Sequence, residues 1–203
     1  NNIFDTFCHE HLEYYSSKII IDMVKKHDLR VFDHKFNNIN GGSSQYYICH
    51  KNSKHKIKKS VNNILEIERK FDLESSKTYE LFYKSVQNIK IKLLKKIHNI
   101  IKENKTIHGY GASTKGNVLL QYFGINKNQV NLIADRNPLK FNKYTPGTNI
   151  KIVSEKNSRK LKPDFYLVLP WHFKKEILKR EKKIIKGGTK FIFPLPKLKI
   201  NNL

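Results

Sequence analysis

The sequence predicts an α/β protein in three parts: a helix with a β-hairpin, a long helical connector, and a mostly parallel sheet covered by helices. Three observations predict it. From Lys105 to Phe193, strand-like and helix-like segments alternate, the pattern of parallel strands joined by crossover helices. Across residues 76–104, Phe82, Val86, Ile89, Leu93, Ile97 and Ile100 recur at three- and four-residue spacing, which gives one buried helical stripe. Earlier, two alternating segments flank Asn40-Gly41-Gly42, residues that tolerate positive φ and favour an antiparallel hairpin.

Taken in order, an irregular opening from Phe4 to Tyr15 leads into a helix over about Ser17–His27, with Ile20, Met23 and Val24 on one face. Strands are predicted over about Arg30–Phe36 and Gln45–His50. Lys51 to Lys59 is polar and without apolar period, so it reads as a solvated connector. Ser60 is placed to cap a short helix running to about Lys70, and the striped helix follows. Lys105–His108 is a short strand that enters Gly109-Tyr110-Gly111-Ala112-Ser113-Thr114-Lys115-Gly116-Asn117, and Val118–Phe123 turns helical. Val130–Ala134 is a strand ending at Asp135-Arg136-Asn137-Pro138. Phe165–Leu169 is a continuous apolar strand, followed by Pro170-Trp171-His172 and a helix to about Ile185. Gly187-Gly188 ends that helix before a last strand, Lys190–Phe193. The domain boundaries expected from this pattern are 1–52, 53–104 and 105–203.

Composition narrows the function classes. Apolar residues make up 38% and aromatics 11% of the 203 residues, enough for a folded core. No apolar run reaches the roughly 18 residues that a membrane span needs, and no secretory signal precedes the first strand, so no membrane partner and a cytoplasmic location are expected. Cys8 and Cys49 are too few and too far apart for a disulfide framework or a zinc ribbon. The first residue is Asn and the only methionine is Met23, so a truncated N-terminus is expected. The formal charge of +23 raises a nucleic-acid partner. Nearly all the basic residues are Lys, however, and Lys, Asn and Ile share A/T-rich codons, whereas nucleic-acid interfaces favour Arg. Nucleic acid is therefore not the expected partner, although the positive field would recruit an anionic substrate.

Three segments fall where ligands bind in parallel sheets, at strand carboxyl ends: the glycine loop, Asp135–Asn137 and Pro170–His172. Gly109 and Gly111 permit a tight turn, Ser113 and Thr114 offer hydroxyls, and Lys115 offers a charge, all before a helix N-terminus. The loop is a phosphate-cradle candidate or a plain strand–helix turn. It matches neither a Walker loop nor a full G-x-G-x-x-G, since Thr114 holds the third glycine position. Asp135 stands where a dinucleotide fold puts its ribose acceptor, or it caps the turn ahead of Asn137-Pro138. In Cys8-His9-Glu10-His11 the histidines are two apart, not the four that puts two zinc ligands on one helical face. No metal is assigned there. A carboxylate beside imidazoles suits proton transfer, and a polar loop without chemistry is the plainer reading.

Phe4-Asp5-Thr6 through His9-Glu10-His11-Leu12-Glu13-Tyr14-Tyr15 resembles a signature of S-adenosylmethionine (SAM)-dependent sugar C-methyltransferases. Gly109–Asn117, Asp135-Arg136-Asn137-Pro138, Pro146-Gly147-Thr148 and Leu169-Pro170-Trp171-His172 match that family's C-terminal domain in the same order. The resemblance implies a three-part enzyme with an N-terminal zinc module, a central SAM-binding domain and a Rossmann-like C-terminal domain that helps hold a nucleotide sugar. Residues 1–52 would be the end of the central, class I methyltransferase domain. The zinc module and the SAM pocket would lie outside this chain, in a missing N-terminal portion. In such enzymes a nucleotide-linked keto-deoxysugar loses a proton next to its carbonyl, and the resulting enolate attacks the methyl group of SAM. The resemblance makes His11 the general base and Glu10 its partner or a substrate ligand, with His9 beside them. It makes Gly109, Tyr110, Gly111, Ala112, Ser113, Thr114, Lys115, Asn117, Asp135, Arg136, Asn137, Trp171 and His172 the substrate-binding set. Relatives can carry Tyr where Cys8 stands, and Gln45 stands where Arg is expected. The rival readings are an NAD(P)-binding oxidoreductase domain and a basic nucleic-acid-binding module.

Overall fold

A computed structural model describes residues 3–201, which form two compact units. The first covers Leu12–Phe82. Helix α1 (Ser17–Lys25) is capped by the Ser16 hydroxyl, which accepts from the Ile19 amide at 3.3 Å. The Glu68 carboxylate accepts from the next orphan amides, Ser17 at 2.6 Å and Lys18 at 3.2 Å. Strands β1 (Leu29–Asn37) and β2 (Ser43–His50) pair antiparallel, from Leu29 opposite His50 to Asn37 opposite Ser43. A 3-10 turn at Ile39–Gly41 joins them, with Asn40 at φ 55° and Gly42 at φ 134°. The core here is Ile21, Val31 and Val61, with Val24, Tyr46 and Leu65 packed on it. Ile21 and not Met23 faces inward on α1, because the buried stripe is rotated from the expected one; Met23 is 45% exposed.

Helix α2 (Lys59–Phe71) corrects another expectation. Its N-cap is Lys58, with no side-chain capping bond, and Ser60 is already helical. The Ser60 hydroxyl instead donates to Asp33 Oδ1 at 2.7 Å, while Lys58 Nζ donates to Asp33 Oδ2 at 2.6 Å. Those bonds hold the Asp33 carboxyl down at about 2. The connector before α2 is mostly exposed, yet Arg30 Nη2 donates to the Ser53 and His55 carbonyls at 2.7 and 2.5 Å.

Helix α3 (Ser76–Lys102) has its stripe at Val86, Ile89, Leu93, Ile97 and Ile100 buried. From Tyr83 it belongs to the second unit, together with residues 3–11 and the rest of the chain. The described residues of that unit form a six-stranded sheet ordered β5-β4-β3-β6-β7-β8. Its strands are β3 (Ile107–Tyr110), β4 (Ile133–Asp135), β5 (Ile152–Ser154), β6 (Phe165–Val168), β7 (Lys190–Phe193) and β8 (Lys199–Asn201). All neighbours are parallel except β8, which runs antiparallel to β7. β3 and β6 are central and buried at every residue, and β6 reads as a continuous apolar run, as strands covered on both faces do. Crossovers are α4 (Thr114–Phe123), α5 (Glu155–Lys160), α6 (Lys174–Arg180) and α7 (Lys182–Lys186).

This is the Rossmann-like arrangement expected. The chain builds outward from β3 to β5, then returns to the other side of β3 to start β6. The reversal leaves a crevice outside the carboxyl ends of β3 and β6, where such sheets take ligands. The single helix expected to reach Ile185 is broken at Glu181, at φ −94° and ψ 14° between α6 and α7. No helix among the described residues is long and apolar enough to cross a membrane.

Candidate functional site

β3 delivers the chain to Gly111, which turns at φ +82°. A Cβ at Gly111 would lie 2.7 Å from Pro170 Cγ, and one at Gly109 would lie 2.6 Å from Ile133 Cγ1. The close approach that these glycines permit is therefore to β4 and to the turn that follows β6. Ser113 then caps α4, its hydroxyl accepting from the Gly116 amide at 3.0 Å.

Asp135 holds the loop from the end of β4. Its Oδ2 accepts from the Ala112 amide at 2.6 Å and its Oδ1 from the Asn137 amide at 2.7 Å. Lys140 Nζ sits 3.9 Å from Asp135 Oδ2 and donates to the Ala112 carbonyl at 2.6 Å. A carboxylate committed to two backbone amides staples β4 to the loop, the turn role that the sequence left open beside the ribose role.

At the switch point lies a crevice of about 400 Å³. It gathers Tyr110, Gly111, Ala112, Ser113, Asp135 and Arg136 of the expected set. Gly109, Thr114, Lys115, Asn117, Asn137, Trp171 and His172 do not line it. Gly109 is buried in β3, and Asn137 accepts from the Leu139 amide at 3.0 Å. Pro170, from the strand end that the sequence flagged, lines it too, and the lining residues that the sequence did not flag are Lys140, Glu155, Phe173, Glu176, Ile177 and Arg180. Of these, Phe173 follows the flagged Pro170-Trp171-His172 and carried a signal by position. Glu155 and Arg180 carried none.

Behind the lining runs a charged network. Tyr110 Oη donates to Glu181 Oε1 at 2.7 Å and accepts from Arg180 Nη2. Arg180 also pairs with Glu155 at 2.8 Å, and Arg159 bridges Glu155 and Glu181 at 2.8 and 2.5 Å. Burial raises the Tyr110 pKa well above its usual value and keeps the phenol protonated. Burial opposes the charge on Glu181, but Arg159, Tyr110 and Arg180 outweigh it and hold its pKa below the usual value.

The N-terminal segment packs into the same unit. Phe4 is buried, with its ring 5.4 Å from that of Tyr122 and 5.1 Å from that of Phe123. Asp5 is 1% exposed and accepts from Trp171 Nε1 at 2.7 Å. Burial raises the Asp5 pKa, against the opposing effects of the Trp171 bond and the charge of Lys115. His172 is pushed down by burial and then by Lys115. Asp5 Oδ1, Asn117 Oδ1 and His172 Nδ1 are buried without a hydrogen-bond partner among the described residues. From this anchor the chain continues to His9, Glu10 and His11, all exposed. His11 Nδ1 lies 2.8 Å from the Thr6 carbonyl. A carbonyl only accepts, so Nδ1 carries the hydrogen and Nε2 is the basic nitrogen of the neutral ring. Among the described residues no group of three or more His, Cys, Asp or Glu could hold a metal ion.

Residues 38–196 match a family described as the C-methyltransferase C-terminal domain. The chain is also similar to the C-methyltransferase NovU of Streptomyces niveus, at 31% identity over 200 residues. That alignment covers 98% of this chain and 48% of the relative, so the chain spans about half of the relative's length. With most of its length matched, including five of the six strands of the Rossmann-like sheet, β3 to β7, the chain belongs to the C-methyltransferase C-terminal domain family.

Proposed function

We propose that this chain is the C-terminal portion of a SAM-dependent C-methyltransferase that methylates the carbon next to the ketone of a nucleotide-linked keto-deoxysugar. The observation that carries the reading is the 2.8 Å contact of His11 Nδ1 with the Thr6 carbonyl. Removing a proton α to a ketone needs a positioned base, and a tautomer-locked imidazole offers one through Nε2. Glu10 and His9 stand beside it as substrate ligands or partners of the base. The anchoring of Phe4 and Asp5 supports the same reading, because a base on a fixed segment loses less entropy in reaching the reacting carbon.

SAM supplies the methyl group when bound by residues outside this chain. The residues present do not fit it as an adenosyl ribose site, since both Asp135 oxygens are committed to the Ala112 and Asn137 amides. The same commitment argues against the NAD(P) oxidoreductase reading. The nucleotide part of the substrate is assigned to the crevice at the switch point, with Arg136, Asn137 and His172 as further contacts. Residues 1–52, 53–104 and 105–203 would then be the end of a methyltransferase domain, a helical connector and the substrate domain. A zinc module in the remaining half, a nucleotide-sugar partner and a cytoplasmic setting belong to the same reading.

Calorimetric titration of the chain with dTDP, NAD and SAM tests it. Binding of dTDP with NAD and SAM silent is expected. NAD binding with dTDP silent would replace the reading with the oxidoreductase.

A further inference from the structure

The chain carries 40 basic and 17 acidic residues, so a random patch of its surface holds more than two cations per carboxylate. The crevice at the switch point departs from that ratio. Its lining has three carboxylates, Asp135, Glu155 and Glu176, against three cations, Arg136, Lys140 and Arg180. Two of the cations are already engaged. Lys140 donates to the Ala112 carbonyl at 2.6 Å beside Asp135, and Arg180 pairs with Glu155 at 2.8 Å and with Glu181 at 3.3 Å. Neither Arg136 nor Glu176 forms an ion pair among the described residues, and the formal charges of the lining sum to zero.

A diphosphate carries two or more negative charges and is held by unpaired cations or converging amides. Here the glycine loop is closed to it: the Ala112 amide is taken by Asp135, and Pro170 fills the space over Gly111. What the crevice offers instead is apolar lining with hydrogen-bonding groups around it. Phe173 is 51% exposed, and Pro170 and Ile177 lie on the same lining.

We infer that the crevice takes the uncharged nucleoside of the nucleotide-linked substrate, its base stacked on Phe173, and leaves the diphosphate outside. This rests on the nucleotide-sugar reading above and assigns which part of that substrate enters. The surrounding carboxylates suit the assignment, since Glu176 accepts from ribose hydroxyls or a base N–H and would repel a phosphate.

The test uses the whole chain and follows the fluorescence of Trp171, the only tryptophan, which adjoins Pro170 and lies two residues from Phe173. Four probes are compared: dTDP, thymidine, inorganic pyrophosphate and free fucose as a 6-deoxy sugar. Thymidine should displace dTDP, while pyrophosphate and fucose at the same concentration should not. Raising salt from about 50 to about 300 mM should change dTDP affinity by less than about threefold, because few phosphate charges are neutralised. Phe173→Ala should weaken dTDP about 10-fold or more, the size of one base–aromatic stack, and Phe173→Trp should restore it. Phe173 is half-exposed, so an unchanged melting curve is expected in both variants.

Displacement by pyrophosphate with a steep salt slope and a silent Phe173→Ala would put the diphosphate in the crevice and overturn the inference, leaving the nucleotide-sugar reading intact. Displacement by fucose but not thymidine would put the sugar there, with the same consequence. No dTDP binding to the folded chain would overturn both.

Discussion

Trp171 donates its indole N–H to the Asp5 carboxylate at 2.7 Å, joining residues 166 positions apart. Removing the acceptor leaves a buried indole N–H unsatisfied, so Asp5→Ala should cost about 1–3 kcal/mol. Asp5→Asn keeps an acceptor oxygen and removes a charge that burial disfavours. It should be at least as stable as the parent at neutral pH. Because Asp5 is raised above its unfolded value of 3.8, its ionisation costs stability as pH climbs through the interval between the two, and Asp5→Asn should abolish that loss. Urea melts followed by Trp171 emission measure all three points.

His108 predicts an acid-sensitive fold. It is 4% exposed, its Nδ1 is 2.9 Å from the Ser158 hydroxyl, and burial pushes it down from 6.5 to about 4. The unfolded chain binds a proton at higher pH than the folded one. This contribution is therefore complete above pH 6.5 and drains away as pH falls from 6.5 to 4, by roughly 3 kcal/mol. Melts across that range should show the slope, and His108→Gln should flatten it.

The Glu181 carboxylate is 2% exposed and receives Tyr110, Arg159 and Arg180. Glu181→Ala leaves the buried Tyr110 hydroxyl without its acceptor and two guanidinium groups with Glu155 as their one remaining carboxylate, so a loss of about 1–3 kcal/mol is expected in chemical denaturation. A loss below about 1 kcal/mol would show the network to be as weak as an exposed ion pair.

Two glycines with left-handed backbones separate strain from crowding. Gly124, at φ +72°, has open space where a Cβ would go, whereas at Gly111, at φ +82°, Pro170 Cγ is 2.7 Å away. Both alanine variants carry the backbone strain, and Gly111→Ala adds an overpacking cost of about 1–3 kcal/mol. Equal melting temperatures for the two would refute the packing of Pro170 onto the loop.

On the proposed chemistry, His11→Gln should slow exchange of the substrate α-proton with deuterated solvent by about 10²–10⁴-fold. Proton NMR of a dTDP-linked 4-keto-6-deoxy sugar incubated with the complete enzyme reads this directly, with no methyl transfer required. Unaltered exchange in the variant would remove His11 as the base.

The alternation of strands and helices after Lys105 was legible because β6, buried on both faces, reads as an apolar run and β3 leads directly into the glycine loop. β5 and β8 escaped that reading. They are three residues each, Ile152–Ser154 and Lys199–Asn201, and lie at the sheet edges. There neighbours and not composition make the strand. Ser60 looked like a cap from its type alone, but the buried Asp33 carboxylate draws its hydroxyl away.

By itself, the sequence determined the glycine loop, the acidic turn after β4, and their place at strand ends, since those follow from local backbone demands. Local pattern could not supply partners. Only the tertiary structure decided that Asp135 is spent on the loop amides, that Pro170 fills the room over Gly111, and that Arg180 and Glu155 neutralise each other beside the crevice. The reason is physical: hydrogen bonds and ion pairs between residues 23 to 166 positions apart are set by the packing that brings them into contact, and no local periodicity encodes that.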